Sequence, residues 1–217
     1  LAIGQTSLMI LALLTGAILC AKREHETAGG VMLGIATAIK LTPALLLVYF
    51  LFRGRRRLAL SGCVTFAACT LIAAVALGPS PTLRFFTSVV PAMSGGTSYF
   101  LNQSLTGFFD RLVGSGDVTQ VALSADGLAK GLATASALCL LASTFYCLRR
   151  RPDRPAGLVL DLEVSAVMLL TLVLSPISWT HHYLIITIPL YTVVAAAIRH
   201  SRPGPWLAAF TGVAFLL

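Results

Sequence analysis

Long and almost uninterrupted apolar runs dominate this sequence, and short clusters of basic residues separate them. Of the 217 residues, 57% are hydrophobic and 11% are charged, whereas about 25% of the residues in soluble domains are charged. Several runs approach the about 20 residues that a helix needs to cross a bilayer core. The predicted spans are 4–21, 28–52, 58–78, 128–148, 158–175 and 184–198, with another starting at 206–217. We therefore predict an all-α integral membrane protein with several spans.

The net charge of +8 reflects topology and not a nucleic-acid partner, because Lys and Arg are distributed among short loops. Cytoplasmic loops of membrane proteins are enriched in basic residues. The clusters at 22–23, 53–57, 149–154 and 199–202 are therefore assigned to the cytoplasmic side. All five Cys lie in apolar runs without CxxC spacing, which predicts neither a disulfide framework nor a metal site.

The apolar run 28–52 is interrupted by Lys40-Leu-Thr-Pro43. A single crossing would place the basic clusters 22–23 and 53–57 on opposite sides of the membrane, against the positive-inside rule. As a helix, residues 28–39 extend about 18 Å, which takes the chain past the midplane before the break turns it back. We predict a broken, re-entrant pair of half-helices.

With this topology, the polar segments other than the basic clusters all reach the outer side of the membrane. They are Gly4-Gln5, the break at 40–43, the passage 98–112 in a long outer loop at 79–127, and the turn 175–183. We expect them to assemble one outward-facing site. We treat 1–217 as a single transmembrane domain, and we expect it to be a fragment of a longer protein.

The passage 98–112 is unusually polar for this chain. If it is helical from Asn102, then Ser104, Gly107 and Arg111 share one face. The neighbouring apolar stripe consists of Leu105, Phe108, Phe109 and Leu112. Such a helix lies flat at a membrane interface, which predicts an outer amphipathic helix with a polar working surface. The simpler alternative is an anchor helix without a binding role.

Lys40 is an ionisable residue within a predicted membrane segment, a position that by default indicates function. Its ammonium predicts an anionic partner, for which a lipid-linked phosphate near the outer face is the natural candidate. The alternative is a lysine whose stem extends along apolar surface and brings the charge to the interface. Gly30 and Gly34 precede it at the spacing that permits close helix contact.

His181 and His182 follow Trp179 in the predicted outer turn, which Pro176 begins. Adjacent histidines on a helix point about 100° apart, whereas a two-histidine helical metal site needs i, i+4 spacing. We therefore predict no metal here. Imidazoles can instead transfer protons or stabilise a phosphate near neutral pH. The alternative is an aromatic belt at the membrane interface with two polar caps.

Four segments together resemble glycosyltransferase family 87, whose polyprenyl-phosphate-sugar-dependent enzymes have the multi-spanning GT-C fold. The matching segments are Gly4-Gln5, Gly34 to Lys40-Leu-Thr-Pro43, Asn102-Gln-Ser-x-x-Gly107-x-x-x-Arg111 and Ser175-Pro-Ile-Ser-Trp-Thr-His-His182. The resemblance implies a GT-C-type helical bundle for most of the chain. Thr6-Ser7 stand in a region where the family often has Asn, and this departure bears on sugar choice.

The resemblance also implies an activity. Mannose would be transferred from a polyprenyl-phosphate carrier to a lipid-linked or cell-envelope glycan on the outer face of the plasma membrane, in α-1,2 linkage and with inversion. No cofactor is implied beyond the polyprenyl-phosphate-mannose donor, and the other partners are the acceptor and the lipid bilayer. In the family, the catalytic aspartate lies in the first outer loop, which by this resemblance would precede Leu1. We therefore expect this chain to lack the general base and to be inactive alone.

Individual residues take roles from the same resemblance. Lys40 and Arg111 would meet the carrier phosphate. His182 and His181 would act at the reacting centre. The remaining substrate contacts would come from Gln5, Asn102, Gln103, Ser104 and Trp179.

Other functions remain open on the sequence. An arabinofuranosyltransferase of the same family would share these motifs and use another sugar. A transporter or flippase subunit for an anionic lipid-linked substrate would use Lys40 and the broken helix as an anion site, although the two halves show no inverted repeat. A membrane scaffold without chemistry would tolerate changes at Lys40, Arg111 and His182.

Overall fold

A computed structural model describes residues 6–114, 126–149 and 157–199, and these residues form helices and no β-strand. The α-helices are α1 (Ser7–Lys22), α2 (Glu26–Ile39), α3 (Ala44–Phe52), α4 (Arg56–Leu77), α5 (Pro79–Arg84), α6 (Val90–Ser94), α7 (Leu105–Val113), α8 (Asp126–Arg149), α9 (Gly157–Leu174) and α10 (Thr187–Arg199). A π-helical turn, Phe85–Val89, joins α5 to α6, and a 3-10 helix, Thr180–Ile186, leads into α10. The all-α prediction is confirmed.

Four described segments are long and apolar enough to cross a membrane. They are Arg56–Leu77, Asp126–Arg149, Gly157–Leu174 and Thr180–Ile198. Large apolar side chains are exposed on the first of them, including Val64 and Val75 at 68% and 80%. A helix that is apolar all round suits a hydrocarbon environment. The chain is therefore a multi-pass membrane protein. The predicted span at 206–217 lies outside the described residues.

The basic clusters meet at one end of the bundle. Arg55 donates from Nη1 to the Ala21 carbonyl at 2.9 Å, and its Nη2 pairs with Glu24 Oε1 at 3.3 Å. The turn after α1 therefore lies beside the turn after α3. The chain has returned to the end from which α2 began, as the predicted pair of half-helices requires. We call this the basic end, formed by 21–26, 53–57 and the residues that contact them.

A buried ion pair links the end of α3 to α9. Arg53 donates from Nε and Nη2 to the two carboxylate oxygens of Glu163, each at 2.9 Å, and both side chains are almost completely buried. The Tyr49 hydroxyl donates to Glu163 Oε2 at 2.9 Å. Arg53 also donates to the Leu148 carbonyl near the end of α8 at 3.3 Å. Three helices are thereby fixed at the basic end.

Helices α2 and α4 pack together through small residues. A Cβ on Gly34 would lie 2.5 Å from the Gly62 carbonyl oxygen and 2.7 Å from Thr65 Cβ, and a Cβ on Gly30 would collide with Ser61. Only hydrogen fits at these two positions, which confirms that the spacing of Gly30 and Gly34 serves close helix contact. Apolar residues of α1, α2, α3 and α9 form the adjoining core, including Ile10, Leu33, Phe50, Val164 and Met168.

Several element boundaries differ by a few residues from the sequence expectation, and two of these differences concern the polar segments. The break falls at 40–43 as predicted, between α2 and α3. The amphipathic helix begins at Leu105 and not at Asn102, because the Ser104 hydroxyl accepts a hydrogen bond from the Gly107 N–H and caps the helix there. Helical structure after the outer turn already begins at Thr180, as a 3-10 helix.

Candidate functional site

The polar segments of the sequence meet at the end of the bundle opposite the basic end. Helix α2 starts beside Arg55, and α9 starts beside Lys22, which pairs with Asp161 at 2.7 Å. The residues that follow these two helices, 40–43 and 175–182, therefore lie at the other end. Passage 97–111 is hydrogen-bonded to the second of them. We call these three segments the polar end.

Asn102 joins two of the segments. Its Oδ1 accepts hydrogen bonds from the backbone N–H of Ser178 at 2.8 Å and of Ser104 at 3.3 Å. Its Nδ2 donates to the carbonyls of Thr97 at 2.8 Å and Pro176 at 3.1 Å. The residue is 0% exposed. All four hydrogen-bonding positions of the amide are thus used inside the protein.

Ser104 and Gly107 complete this joint. The Ser104 hydroxyl donates to the Pro176 carbonyl at 3.1 Å while it caps α7. A Cβ on Gly107 would lie 2.5 Å from the Asn102 carbonyl oxygen and 2.8 Å from its Nδ2. Position 107 therefore requires glycine because Asn102 lies too close for a side chain, and not because of a turn conformation.

Arg111 lies across the start of the same passage. Its Nη1 donates to the Asn102 carbonyl at 2.7 Å and to the Tyr99 carbonyl at 3.2 Å. Its Nε and Nη2 form no hydrogen bond with the described residues. One edge of the guanidinium is therefore structural, and the other edge can donate to a ligand.

The turn 175–178 is held by its own hydroxyls as well. Ser175 donates from Oγ to the Ile177 carbonyl at 2.8 Å, and Ser178 donates from Oγ to the Leu172 carbonyl at 2.5 Å. The Ser178 carbonyl accepts from the Gln103 N–H at 2.8 Å. The sequence did not single out Ser178 individually; its place within the Ser175 to His182 segment was the available signal.

The two histidines are oriented by this turn. His182 Nδ1 accepts a hydrogen bond from the Trp179 backbone N–H at 3.2 Å, so the ring proton of the neutral imidazole lies on Nε2. His181 packs edge to face against His182 and Trp179, with ring centroids 4.3 and 5.8 Å apart. The pair is therefore placed by backbone and ring contacts.

Lys40 is the charged residue of the break between α2 and α3. It lies close enough to His182 for the two groups to interact electrostatically. Its ammonium makes no hydrogen bond or ion pair with the described residues. The side chain of Lys40 is partly buried, so its ammonium loses part of the stabilisation that water would give it. This half-buried cation is suited to an anion that supplies the missing partner.

The other predicted contact residues are placed differently. Gln103 is exposed and donates from Nε2 to the Phe100 carbonyl at 3.0 Å. Tyr183 donates from its hydroxyl to the Gln103 carbonyl at 3.4 Å, a contact that the sequence did not indicate. Trp179 is 41% exposed. Gln5 lies outside the described residues. The structure thus brings Lys40 near His182 and joins the passage containing Gln103 to the turn.

A groove of about 490 Å³ opens beside the same turn, between α7, α8 and α9. Its lining includes Pro176, Thr106, Lys130, Ala137 and Leu141. Among the residues that the structure describes, no group of three or more His, Cys, Asp or Glu side chains could hold a metal ion. The chemistry that the polar end itself can offer is cationic and imidazole-based.

Comparison with known proteins identifies relatives over most of the chain. A family model described as Glycosyltransferase family 87 matches residues 1–176. A polyprenol-phosphate-mannose-dependent alpha-(1-2)-phosphatidylinositol mannoside mannosyltransferase of Mycobacterium tuberculosis is 33% identical over 186 residues, covering 84% of this chain and 39% of the relative. The protein of the same description from Mycolicibacterium smegmatis is 30% identical over 221 residues, covering 99% of this chain and 47% of the relative.

A third relative, also from Mycolicibacterium smegmatis, is described as a polyprenol-phosphate-mannose-dependent alpha-(1-2)-phosphatidylinositol pentamannoside mannosyltransferase. It is 32% identical over 189 residues, which cover 83% of this chain and 40% of the relative. The chain thus spans less than half the length of these curated relatives. No solved structure matches it.

Proposed function

Because the chain belongs to glycosyltransferase family 87, we propose that the protein carrying it transfers mannose from a polyprenyl-phosphate carrier to a lipid-linked glycan. The descriptions of its relatives support this donor, and they support an α-1,2 linkage and an inositol-phospholipid mannoside acceptor. The same descriptions favour mannose over arabinofuranose. The descriptions of these relatives give no such support to a transporter function.

The observation that carries the proposal is the Lys40 ammonium at the polar end, which has no ion-pair partner among the described residues and lies within electrostatic range of His182. A half-buried cation is costly unless an anion joins it. The carrier phosphate supplies two things at once, since it balances the charge and accepts the hydrogen bonds of the ammonium. The free edge of Arg111 lies in the adjoining passage and provides a second donor for the phosphate.

In the proposed reaction the acceptor hydroxyl attacks the anomeric carbon of mannose, the bond from that carbon to the phosphate oxygen breaks, and polyprenyl phosphate leaves with the bonding electrons. Negative charge grows on the leaving phosphate, where Lys40 stabilises it more strongly than in the ground state. His182 acts at the reacting centre through its imidazole, which the Trp179 and Ile177 backbones orient, and His181 supports it. Attack opposite the leaving group inverts the anomeric configuration.

Two further side chains are proposed to contact sugar. Trp179 offers an exposed ring face beside the histidine pair, and Gln103 offers an exposed amide on the joined passage. Asn102 and Ser104 support the site indirectly, because their polar groups hold the turn. The proton acceptor for the attacking hydroxyl is proposed to come from the remainder of the protein.

The site is proposed to face away from the cytoplasm at the plasma membrane. The basic end carries Lys22, Arg23, Arg56 and Arg57 as exposed cations, and cytoplasmic ends of membrane proteins are enriched in such residues. The polar end lies opposite. A lipid-linked donor would reach it from the outer leaflet without leaving the bilayer.

The test is sugar transfer in membranes that contain the full-length protein, labelled polyprenyl-phosphate-mannose and envelope lipid acceptors. We expect transfer by the unaltered protein and a loss of about 10²-fold or more in a normally inserted His182→Ala variant. His25→Ala is the matched control, because His25 is exposed at the basic end and should leave the rate unchanged. Transfer of arabinofuranose but not mannose would show that the donor carries a different sugar from the one proposed. Transfer of neither sugar would overturn the proposal.

A further inference from the structure

The groove between α7, α8 and α9 is amphiphilic along its length. Lys130 lies near the start of α8, at the polar end, and Leu141 lies 11 residues further along that helix, about 16 Å deeper at the rise of an α-helix. Between them, the wall is formed by Ala133, Ala137 and Leu138. The small residues create the depression, and its surface changes from cationic to apolar with depth.

The mouth of the groove carries a specific set of polar groups. Lys130 forms no ion pair within 4.0 Å with any carboxylate in the described part of the chain. Asp110 of α7 does not line the groove, although it lies within electrostatic range of Lys130. Thr106 adds a hydroxyl on the lining. An ammonium and a hydroxyl suit the phosphodiester of a lipid head group, because both can donate hydrogen bonds to its oxygens.

The groove is also continuous with the polar end. Pro176 lines it, and the carbonyl of this residue accepts the hydrogen bonds from Asn102 and Ser104 that hold the turn carrying His182. A head group at the mouth therefore lies beside the proposed reacting centre. Its hydrocarbon chain would extend along α8, whose outer surface is largely uncovered by the described protein.

We propose that this groove binds one hydrocarbon chain of the lipid acceptor, with the acceptor phosphodiester at Lys130. The inference rests on the proposed function and adds the acceptor subsite to it. The donor phosphate is assigned to Lys40, a different cation on a different element, so the two lipids would approach the turn from separate sides.

The first test is photolabelling of the full-length protein in detergent with phosphatidylinositol that carries a diazirine on one acyl chain. This probe has a phosphodiester, several hydroxyls and a hydrocarbon chain. We expect labelled peptides from 130–141, and labelling should fall about tenfold in Lys130→Gln, which removes a charged hydrogen-bond donor. Ala137→Trp should abolish labelling by filling the groove. Cys139→Trp is the matched control, because Cys139 is exposed on α8 and does not line the groove.

The second test separates this subsite from the donor site by kinetics. In the transfer assay, Lys130→Gln and Ala137→Trp should raise the KM for the lipid acceptor about tenfold and leave the KM for the polyprenyl-phosphate donor unchanged. Equal labelling by diazirine phosphatidylcholine, labelling elsewhere, or a rise in the donor KM alone would overturn the inference. Charge-dependent labelling of 130–141 without any mannose transfer would support the lipid site while overturning the proposed function.

Discussion

The Oδ1 of Asn102 accepts a hydrogen bond from the Ser178 backbone N–H across 2.8 Å, between positions 76 residues apart in the chain. With the two Nδ2 donations, this bond fastens passage 97–111 to the turn 175–182. The position of His182 therefore depends on a buried amide some distance from its own ring.

Asn102→Asp should misplace the turn without preventing membrane insertion. The carboxylate has the shape of the amide, but it brings negative charge against the Thr97 and Pro176 carbonyls. The Thr97 carbonyl loses its side-chain donor, at a cost of about 1–3 kcal/mol if it stays unsatisfied, whereas the Pro176 carbonyl keeps the hydrogen bond from Ser104. We expect mannose transfer to fall at least about tenfold and proteolysis to become faster at the turn. Ser88→Asp is the control, because it adds the same charge at an exposed position. It should change neither mannose transfer nor the rate of proteolysis. Full activity of Asn102→Asp would show that the joint is dispensable.

Glu163→Gln should destabilise the basic end of the bundle. Arg53 and Tyr49 both donate to this buried carboxylate, and breaking a buried ion pair costs about 3–5 kcal/mol. Unfolding in detergent, followed by helix content against denaturant, measures the loss. The matched control is Asp161→Asn, which breaks the half-exposed pair with Lys22 and should cost below about 1 kcal/mol. Equal effects of the two variants would contradict the structure.

Gly34→Val should separate α2 from α4. A side chain at this position collides with the Gly62 carbonyl and Thr65, so the helices must move apart and the Gly30 contact is lost as well. We expect a fall in free energy of unfolding of about 1–3 kcal/mol, as for an overpacked core. Gly131→Ala is the control on α8, where a Cβ meets no atom within 4 Å. It should leave stability unchanged or slightly raised.

Much of the fold could be predicted from the sequence because membrane burial leaves strong signals. The apolar runs predicted the helices. A single crossing would have placed the basic clusters at 22–23 and 53–57 on opposite sides of the membrane, so a break at 40–43 was predicted, and the structure contains it. The Arg53–Glu163 pair could not be predicted, since the two residues lie 110 positions apart and carry no local pattern. Its identification requires knowing that α3 packs against α9.

The candidate site could be predicted only in part from the sequence. The sequence indicated which polar segments matter, because polarity is rare in this chain. It could not distinguish side chains that face a ligand from those that hold the backbone. Asn102 and Lys40 were both expected to contact substrate, yet the structure uses every polar atom of the Asn102 amide internally and leaves the Lys40 ammonium unpaired among the described residues. That distinction is made by tertiary hydrogen bonding.

The most direct test of the account is the affinity of the full-length protein for polyprenyl phosphate at pH 7, measured for the unaltered protein, Lys40→Gln and Lys22→Gln. Lys22 is the matched control because it lies at the basic end and pairs with Asp161. We predict that Lys40→Gln binds at least about tenfold more weakly, as expected for the loss of a charged hydrogen bond, and that Lys22→Gln binds normally. Unchanged affinity in Lys40→Gln would contradict the assignment of the polar end as the donor phosphate site.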